Sequence, residues 1–228
     1  DVSAIAQDYG LADYRRESAN WNVVGMVHVD AGADPAQALD ESDWLQSMSD
    51  TEGLPSGLVG FAALDDPDVD TLLAAHARRP RVRGIRHIVN WHADPDRTYT
   101  PRDLTQDESW ARGFARLGHH GLSFDLQAYP AQLPGLAPLF ERHPDIPVII
   151  NHAGMGVGFD ADGTAEWRTG MQALAALPNI FVKISGLGFV QRPWSAGQAR
   201  ARALETIDLF GTGRAMIASD FPTDRLFA

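Results

Sequence analysis

Seven short hydrophobic runs recur along the chain, and most of them contain β-branched residues. They span residues 23–31, 57–64, 82–89, 122–129, 147–154, 180–187 and 215–222. Short apolar runs of this composition are typical of strands in a parallel sheet, where both faces are covered and few positions meet water. The pattern therefore predicts seven buried β-strands.

Segments of helical composition separate these strands. One begins at Pro35, which suits the first turn of a helix, and one at 67–79 begins with acids and ends with arginines, as the helix dipole favours. Further candidates lie at 108–121, 133–143, 164–177 and 195–210. Because strand and helix alternate strictly, we expect a parallel sheet covered by helices.

The spacing of the strands indicates a barrel. Strand starts lie about 25 to 40 residues apart, and a (β/α)₈ barrel uses ~31 residues per unit. We therefore predict a distorted (β/α)₈ TIM barrel, formed by residues 1–228 as a single α/β domain. Seven strands do not close such a barrel, so its first strand and last helix are expected to lie outside the given chain.

An open α/β sheet is the alternative fold. A doubly wound nucleotide-binding sheet would show G-x-G-x-x-G between a strand and a helix. The nearest candidate is GMGVGF at 154–159, where Phe159 replaces the third glycine and a turn-like DADG follows. The sequence therefore disfavours a nucleotide-binding fold.

Ionisable and polar residues gather toward the carboxyl ends of the predicted strands, where the active sites of TIM barrels lie. They are His28, Asp30, Arg86, His87, Asp125, Gln127, His152, Lys183, Ser185 and Asp220. Each has an ordinary structural explanation when taken alone, such as a hydrogen-bonded core histidine or a helix-capping aspartate. Burying so many charges together costs several kcal/mol unless a ligand, a metal or tight pairing compensates.

The residue types suit hydrolysis. Asp220 can take a proton from water, His152 can polarise a carbonyl or bind a metal, and Arg86 and Lys183 can hold a carboxylate or an oxyanion. Alternation along the strand places His152 in phase with Ile150. No G-x-S-x-G or H-E-x-x-H motif occurs, so the set favours direct attack by activated water on an ester-like or amide-like carbonyl.

Composition excludes several classes of function. The net charge of −11 opposes binding to nucleic acid and to anionic membranes. The absence of cysteine excludes disulfides, thiolate metal sites and a cysteine nucleophile, and it agrees with a cytoplasmic location. No apolar run approaches the ~20 residues that span a bilayer. The chain begins with Asp1 rather than Met, so its start does not test for a targeting segment.

The strings VHVDAG, PRVRGIRH, GLSFDLQAYPAQL, PVIINHAGM, PNIFVKISGLG and ASDFP occur in this order from about residue 20 onward. In this arrangement the chain resembles the amidohydrolase-related TIM-barrel hydrolases. It is most similar to the branch that contains the 2-pyrone-4,6-dicarboxylate lactonases and the sugar-acid lactonases such as L-fuconolactonase. The resemblance implies a hydrolase that opens a cyclic ester, either the lactone of a sugar acid or a pyrone-type carboxylate.

The resemblance also implies roles for residues. Asp220 matches the water-activating base, His152 the histidine that ends the sixth barrel strand, and Arg86 a substrate-binding arginine. Lys183, Gln127 and His28 are expected to bind acidic or hydroxyl groups of the substrate. Relatives usually carry proline at the position of Gly156, so we expect this loop to be looser in the present chain.

The resemblance leaves cofactor and assembly open. Members generally bind one or two divalent ions, most often zinc, through first-strand H-x-H histidines that are expected upstream of Asp1, a later histidine and the last aspartate. His152 and Asp220 would supply half of a four-ligand zinc shell, so metal binding is expected to be weak or absent. The alternatives are a metal-dependent decarboxylase of aromatic or muconate-type acids and a non-catalytic barrel. We expect a small anionic or polyhydroxylated partner molecule, and a homo-oligomer remains open.

Overall fold

A curled, seven-stranded parallel sheet organises the computed structural model, which describes residues 3–156, 158–190 and 193–227. The strands are β1 Val27–Val29, β2 Gly57–Phe61, β3 Val82–Ile88, β4 Ser123–Gln127, β5 Val148–Ile150, β6 Ile180–Ile184 and β7 Ala215–Ile217. Their order in space is their order in the chain, and every neighbouring pair is parallel. The seven predicted strands and their parallel arrangement are confirmed.

Helices follow the strands and cover the outside of the sheet. They are α1 Leu11–Glu17, α2 Ala38–Glu52, α3 Val69–Ala77, α4 Glu108–His119, α5 Leu133–Arg142, α6 Ala161–Ala175, α7 Leu187–Val190 and α8 Ala196–Phe210. Six of these were predicted; α1 and the single turn α7 were not. Across the described residues, no helix combines the length and the apolar character needed to cross a membrane.

The sheet has a charged concave face and an apolar convex face. Asp125 on β4 pairs with Lys183 on β6, which means that the contact passes over β5. Asp30, just after β1, pairs in the same way with Arg86 on β3 across β2. Side chains on strands that are not neighbours meet over the strand between them where the sheet curls toward itself. These pairs therefore mark the concave face near the carboxyl ends of the strands.

The register of β5 corrects one prediction. Asp125 pairs in register with Ile149, and register partners in a parallel sheet point to the same face. Ile149 therefore lies on the concave face, while Val148 and Ile150 face the helices and are buried in the core. The expectation that His152 reaches the site by sharing the phase of Ile150 is wrong.

The convex face packs against the helices through aromatic side chains. Trp110 and Phe114 of α4 contact Phe124 of β4, with ring centroids 5.6 and 5.7 Å apart. Helix α4 approaches closely because Gly113 has no side chain: a Cβ there would lie 1.9 Å from the carbonyl oxygen of Leu64. This close approach packs α4 against the segment that follows β2.

A buried histidine joins α3 to the sheet. His76 is fully buried, its Nε2 lies 3.0 Å from the carbonyl oxygen of Phe61, and its Nδ1 lies 3.3 Å from the hydroxyl of Ser42. Burial lowers the pKa of His76; the charge of Arg79 lowers it further, and that of Asp43 opposes the shift. The imidazole is therefore neutral at pH 7 and has a structural role.

Candidate active site

A left-handed turn after β5 places His152 near the two ion pairs of the concave face. We call this region, at the carboxyl ends of the strands, the mouth of the curled sheet. His152, Ala153 and Met155 have φ angles of 53°, 48° and 49°, values that non-glycine residues rarely adopt. The buried indole of Trp167 donates a hydrogen bond to the carbonyl oxygen of Ala153, at 2.7 Å. Such backbone strain costs about 1–3 kcal/mol per residue and is typical of functional sites. The turn, rather than strand alternation, brings His152 to the site.

His152 meets Asp220 and Ser185 at this mouth. Nδ1 of His152 lies 3.2 Å from the hydroxyl of Ser185 and 3.8 Å from Oδ1 of Asp220. Gly186 lies against both groups with a φ of +62°; a Cβ there would be 2.6 Å from His152 Nδ1 and 3.2 Å from Asp220 Oδ2. Glycine is therefore required at position 186, which sequence reasoning did not identify as a site residue.

The environment shifts the pKa values of both groups. Burial, with help from the positive charges of Arg86 and Lys183, lowers the pKa of His152 to about 4. Burial, with help from the negative charge of Asp224, raises the pKa of Asp220 to about 7. Because His152 is neutral at pH 7, its contact with Asp220 is not an ion pair. Asp220 can exchange a proton near neutral pH, as a general base must.

Both predicted substrate-binding cations carry their own counter-ions. Nε of Arg86 lies 3.0 Å from Oδ2 of Asp30, and Nη2 of Arg86 donates to the Asp30 carbonyl oxygen. Nζ of Lys183 donates to Asp125, whose carboxylate is almost completely buried. The mouth is therefore rich in charge and close to neutral overall.

The structure also locates the two other predicted binding residues. Gln127 ends β4, two residues after Asp125, and is buried. His28 lies in β1, where burial lowers its pKa, and its Nδ1 has no hydrogen-bond partner among the described residues. The charge of Asp30 raises the pKa of His28 and that of Arg86 lowers it, so His28 lies near the ion pair of Asp30 and Arg86.

A cavity of about 280 Å³ reaches the turn that follows His152, at Met155 and Gly156. It is lined by Asp96, Arg97, Thr98, Tyr99, Tyr129, Met155, Gly156 and Val190. The hydroxyl of Tyr129 donates to the Arg97 carbonyl oxygen at 2.6 Å, and Gln132 donates to Val89 and Asp103 at 3.0 and 2.8 Å. These bonds hold the 90–107 loop as a wall of the cavity.

The described side chains do not form a zinc centre. Within 3–156, 158–190 and 193–227, no group of three or more His, Cys, Asp or Glu residues is placed to hold a metal. His152 and Asp220 are the predicted ligands, and a tetrahedral zinc site needs four. A metal at this mouth would need further ligands besides these two.

Comparison with known proteins agrees with the motifs. The family model for amidohydrolase matches residues 4–228. An uncharacterized protein from Sinorhizobium fredii is 40% identical over 232 residues, covering 100% of this chain and 77% of that protein. An L-fucono-1,5-lactonase from Burkholderia multivorans is 30% identical over 247 residues, covering 96% of this chain and 80% of that enzyme.

A solved structure shows the same architecture. The crystal structure of an amidohydrolase from Burkholderia multivorans with bound zinc superimposes with a TM-score of 0.81 at 28% identity, over 99% of this chain and 78% of that one. The curled sheet is thus the sheet of an amidohydrolase TIM barrel, and the resemblance drawn from the strand-end motifs is confirmed. Motif order, sheet topology and family match agree that this hydrolase belongs to the amidohydrolase family.

Proposed function

We propose that this chain hydrolyses a lactone, with Asp220 activating the attacking water. The observation that carries the proposal is the meeting of Asp220, His152 and Ser185 around Gly186. Met155, three residues after His152, lines the neighbouring cavity. In its carboxylate form Asp220 accepts a proton from water as the oxygen attacks the lactone carbonyl. The neutral imidazole of His152 can donate one hydrogen bond, which would polarise that carbonyl.

The charge balance of the mouth favours a sugar-acid lactone over a pyrone dicarboxylate. Because Asp30 and Asp125 already neutralise Arg86 and Lys183, a dianionic substrate would have to compete with two buried carboxylates. A neutral polyhydroxylated ring can instead use the remaining N–H groups as hydrogen-bond donors. The similarity to an L-fucono-1,5-lactonase supports this choice.

The test is Asp220→Asn, assayed for acid release from L-fucono-1,5-lactone and 2-pyrone-4,6-dicarboxylate. Because removal of a general base lowers kcat by about 10²–10⁴-fold, we expect a loss of that size in Asp220→Asn. The wild-type chain should hydrolyse the sugar lactone better than the pyrone. Asp208→Asn is the matched control, since Asp208 is an exposed carboxylate on α8. An unchanged kcat in Asp220→Asn would overturn the role of Asp220. Carbon dioxide release from aromatic acids, without lactone opening, would identify a decarboxylase instead.

A further inference from the structure

Three side-chain amides lie side by side at the carboxyl ends of adjacent strands. Gln127 ends β4, Asn90 follows β3 and Asn151 follows β5, and these residues are 4%, 0% and 3% exposed. The backbone ladder continues through them: Val89 N–H donates to the Gln127 carbonyl at 3.0 Å, and Asn151 N–H donates to the Leu126 carbonyl at 2.8 Å. The three amides therefore form a neutral row across the middle of the mouth.

Strand alternation places Asn90 and Asn151 on the concave face. Asn90 lies four residues after Arg86, and Asn151 lies two residues after Ile149, the register partner of Asp125. Because side chains alternate with a period of two, both amides share the face of the ion pairs. Neither amide was identified from the sequence as a site residue.

Each of these two amides has a buried polar atom without a partner. Among the residues that the structure describes, Oδ1 of Asn90 and Nδ2 of Asn151 form no hydrogen bond. Nδ2 of Asn90 donates to Sδ of Met155 at 3.2 Å, which is a weak acceptor, and Met155 lines the cavity. An unsatisfied buried polar atom costs about 1–3 kcal/mol. One free acceptor and one free donor are what a substrate hydroxyl group needs.

A buried asparagine elsewhere in the chain shows the contrast. Asn179, at the opposite end of the barrel just before β6, donates from Nδ2 to the carbonyl oxygens of Phe140, His143 and Ile146. That amide nitrogen is satisfied by protein groups alone and serves the fold. The two amides at the mouth are not satisfied in this way.

We propose that the side-chain amides of Asn90 and Asn151 bind ring hydroxyl groups of the substrate and determine which lactone this chain accepts. The inference rests on the proposed lactonase function and adds two specificity-determining residues to it. Asn90 accepts a hydrogen bond from a substrate hydroxyl, and Asn151 donates one to a substrate oxygen. The flexible side chain of Met155 separates Asn90 from the cavity and moves aside when the ring enters.

The test compares Asn90→Leu and Asn151→Leu with the wild-type chain on two lactones. The probes are L-fucono-1,5-lactone and δ-valerolactone, which has no ring hydroxyls. The ratio of kcat/KM for the two probes should fall about tenfold to hundredfold per variant, mainly through KM for the hydroxylated lactone. Melting temperatures should stay equal or rise, because each substitution removes an unsatisfied polar atom. Asn179→Leu, the matched control, should lower the melting temperature and keep the ratio.

An unchanged ratio in both variants overturns the proposal, as does a fall in melting temperature without a change in the ratio. Failure of the lactonase function has a different signature, since the wild-type chain would then open neither lactone. In that case calorimetric titration with L-fucose, a hydroxylated ring that is not hydrolysed, tests the amides directly. Weaker binding to the two variants than to wild type supports the proposal; equal or absent binding overturns it.

Discussion

The ion pair between Arg86 and Asp30 allows a quantitative prediction. Nε and Oδ2 lie 3.0 Å apart, and the two side chains are 13% and 4% exposed. At an effective dielectric constant of about 20 this attraction amounts to about 5.5 kcal/mol, and much of it offsets the desolvation of both charges. Arg86→Met leaves the carboxylate of Asp30 buried and unpaired. We therefore expect the free energy of unfolding to fall by about 3–5 kcal/mol.

Guanidinium unfolding at pH 7, followed by circular dichroism, measures this loss. The double variant Asp30→Asn/Arg86→Met should lose clearly less than the sum of the two single variants, because it leaves no uncompensated charge. Arg102→Met is the control: Arg102 forms ion pairs at the surface, is 55% exposed, and should cost less than about 1 kcal/mol. A loss below 1 kcal/mol in Arg86→Met, or strict additivity in the double variant, would refute the reasoning.

Three further predictions concern the fold and the turn that carries His152. Gly113→Ala should lower the melting temperature by several degrees, since its Cβ would lie 1.9 Å from the Leu64 carbonyl oxygen and α4 would have to move; unchanged melting contradicts the close packing. Because burial lowers the pKa of His76 in the folded chain, protonation favours the unfolded chain. Stability should therefore fall as the pH drops below about 6.5, by up to about 1.4 kcal/mol per pH unit. In His76→Gln the free energy of unfolding should change less between pH 7 and pH 5 than in the wild-type chain. An equal change in the two proteins, measured by denaturation at both pH values, would count against this prediction. Trp167→Phe removes the donor to the Ala153 carbonyl and should lower kcat more than it changes KM; full kcat would show that the turn holds without this bond.

Part of the site could be predicted because its chemistry lies in short segments. Asp220 and His152 follow hydrophobic runs directly, so a barrel interpretation alone places them at the active end. The route was wrong for His152, because alternation assumes an extended backbone and residues 152 and 153 have positive φ angles. A left-handed turn at non-glycine residues has no reliable sequence signal. Here a hydrogen bond from Trp167, which lies in the following helix α6, holds the turn.

Other parts of the site depend on contacts between distant segments. Arg86 and Lys183 were predicted to bind the substrate, and the structure pairs them with Asp30 and Asp125. The partners of these pairs are separated by 56 and 58 positions in the chain. No local sequence pattern indicates which carboxylate faces which cation. A sequence equally cannot show that Oδ1 of Asn90 and Nδ2 of Asn151 find no partner within the described part of the chain.

The sequence by itself determined the elements, their order and the end of the sheet where polar chemistry collects. These follow from hydrophobic runs, helix signals and strand spacing, which are local properties of the chain. Only the tertiary structure decided how the mouth works. The curl of the sheet brings side chains together across an intervening strand. It therefore determines which charges are neutralised, why position 186 must be glycine, and which buried amide atoms have no hydrogen-bond partner among the described residues.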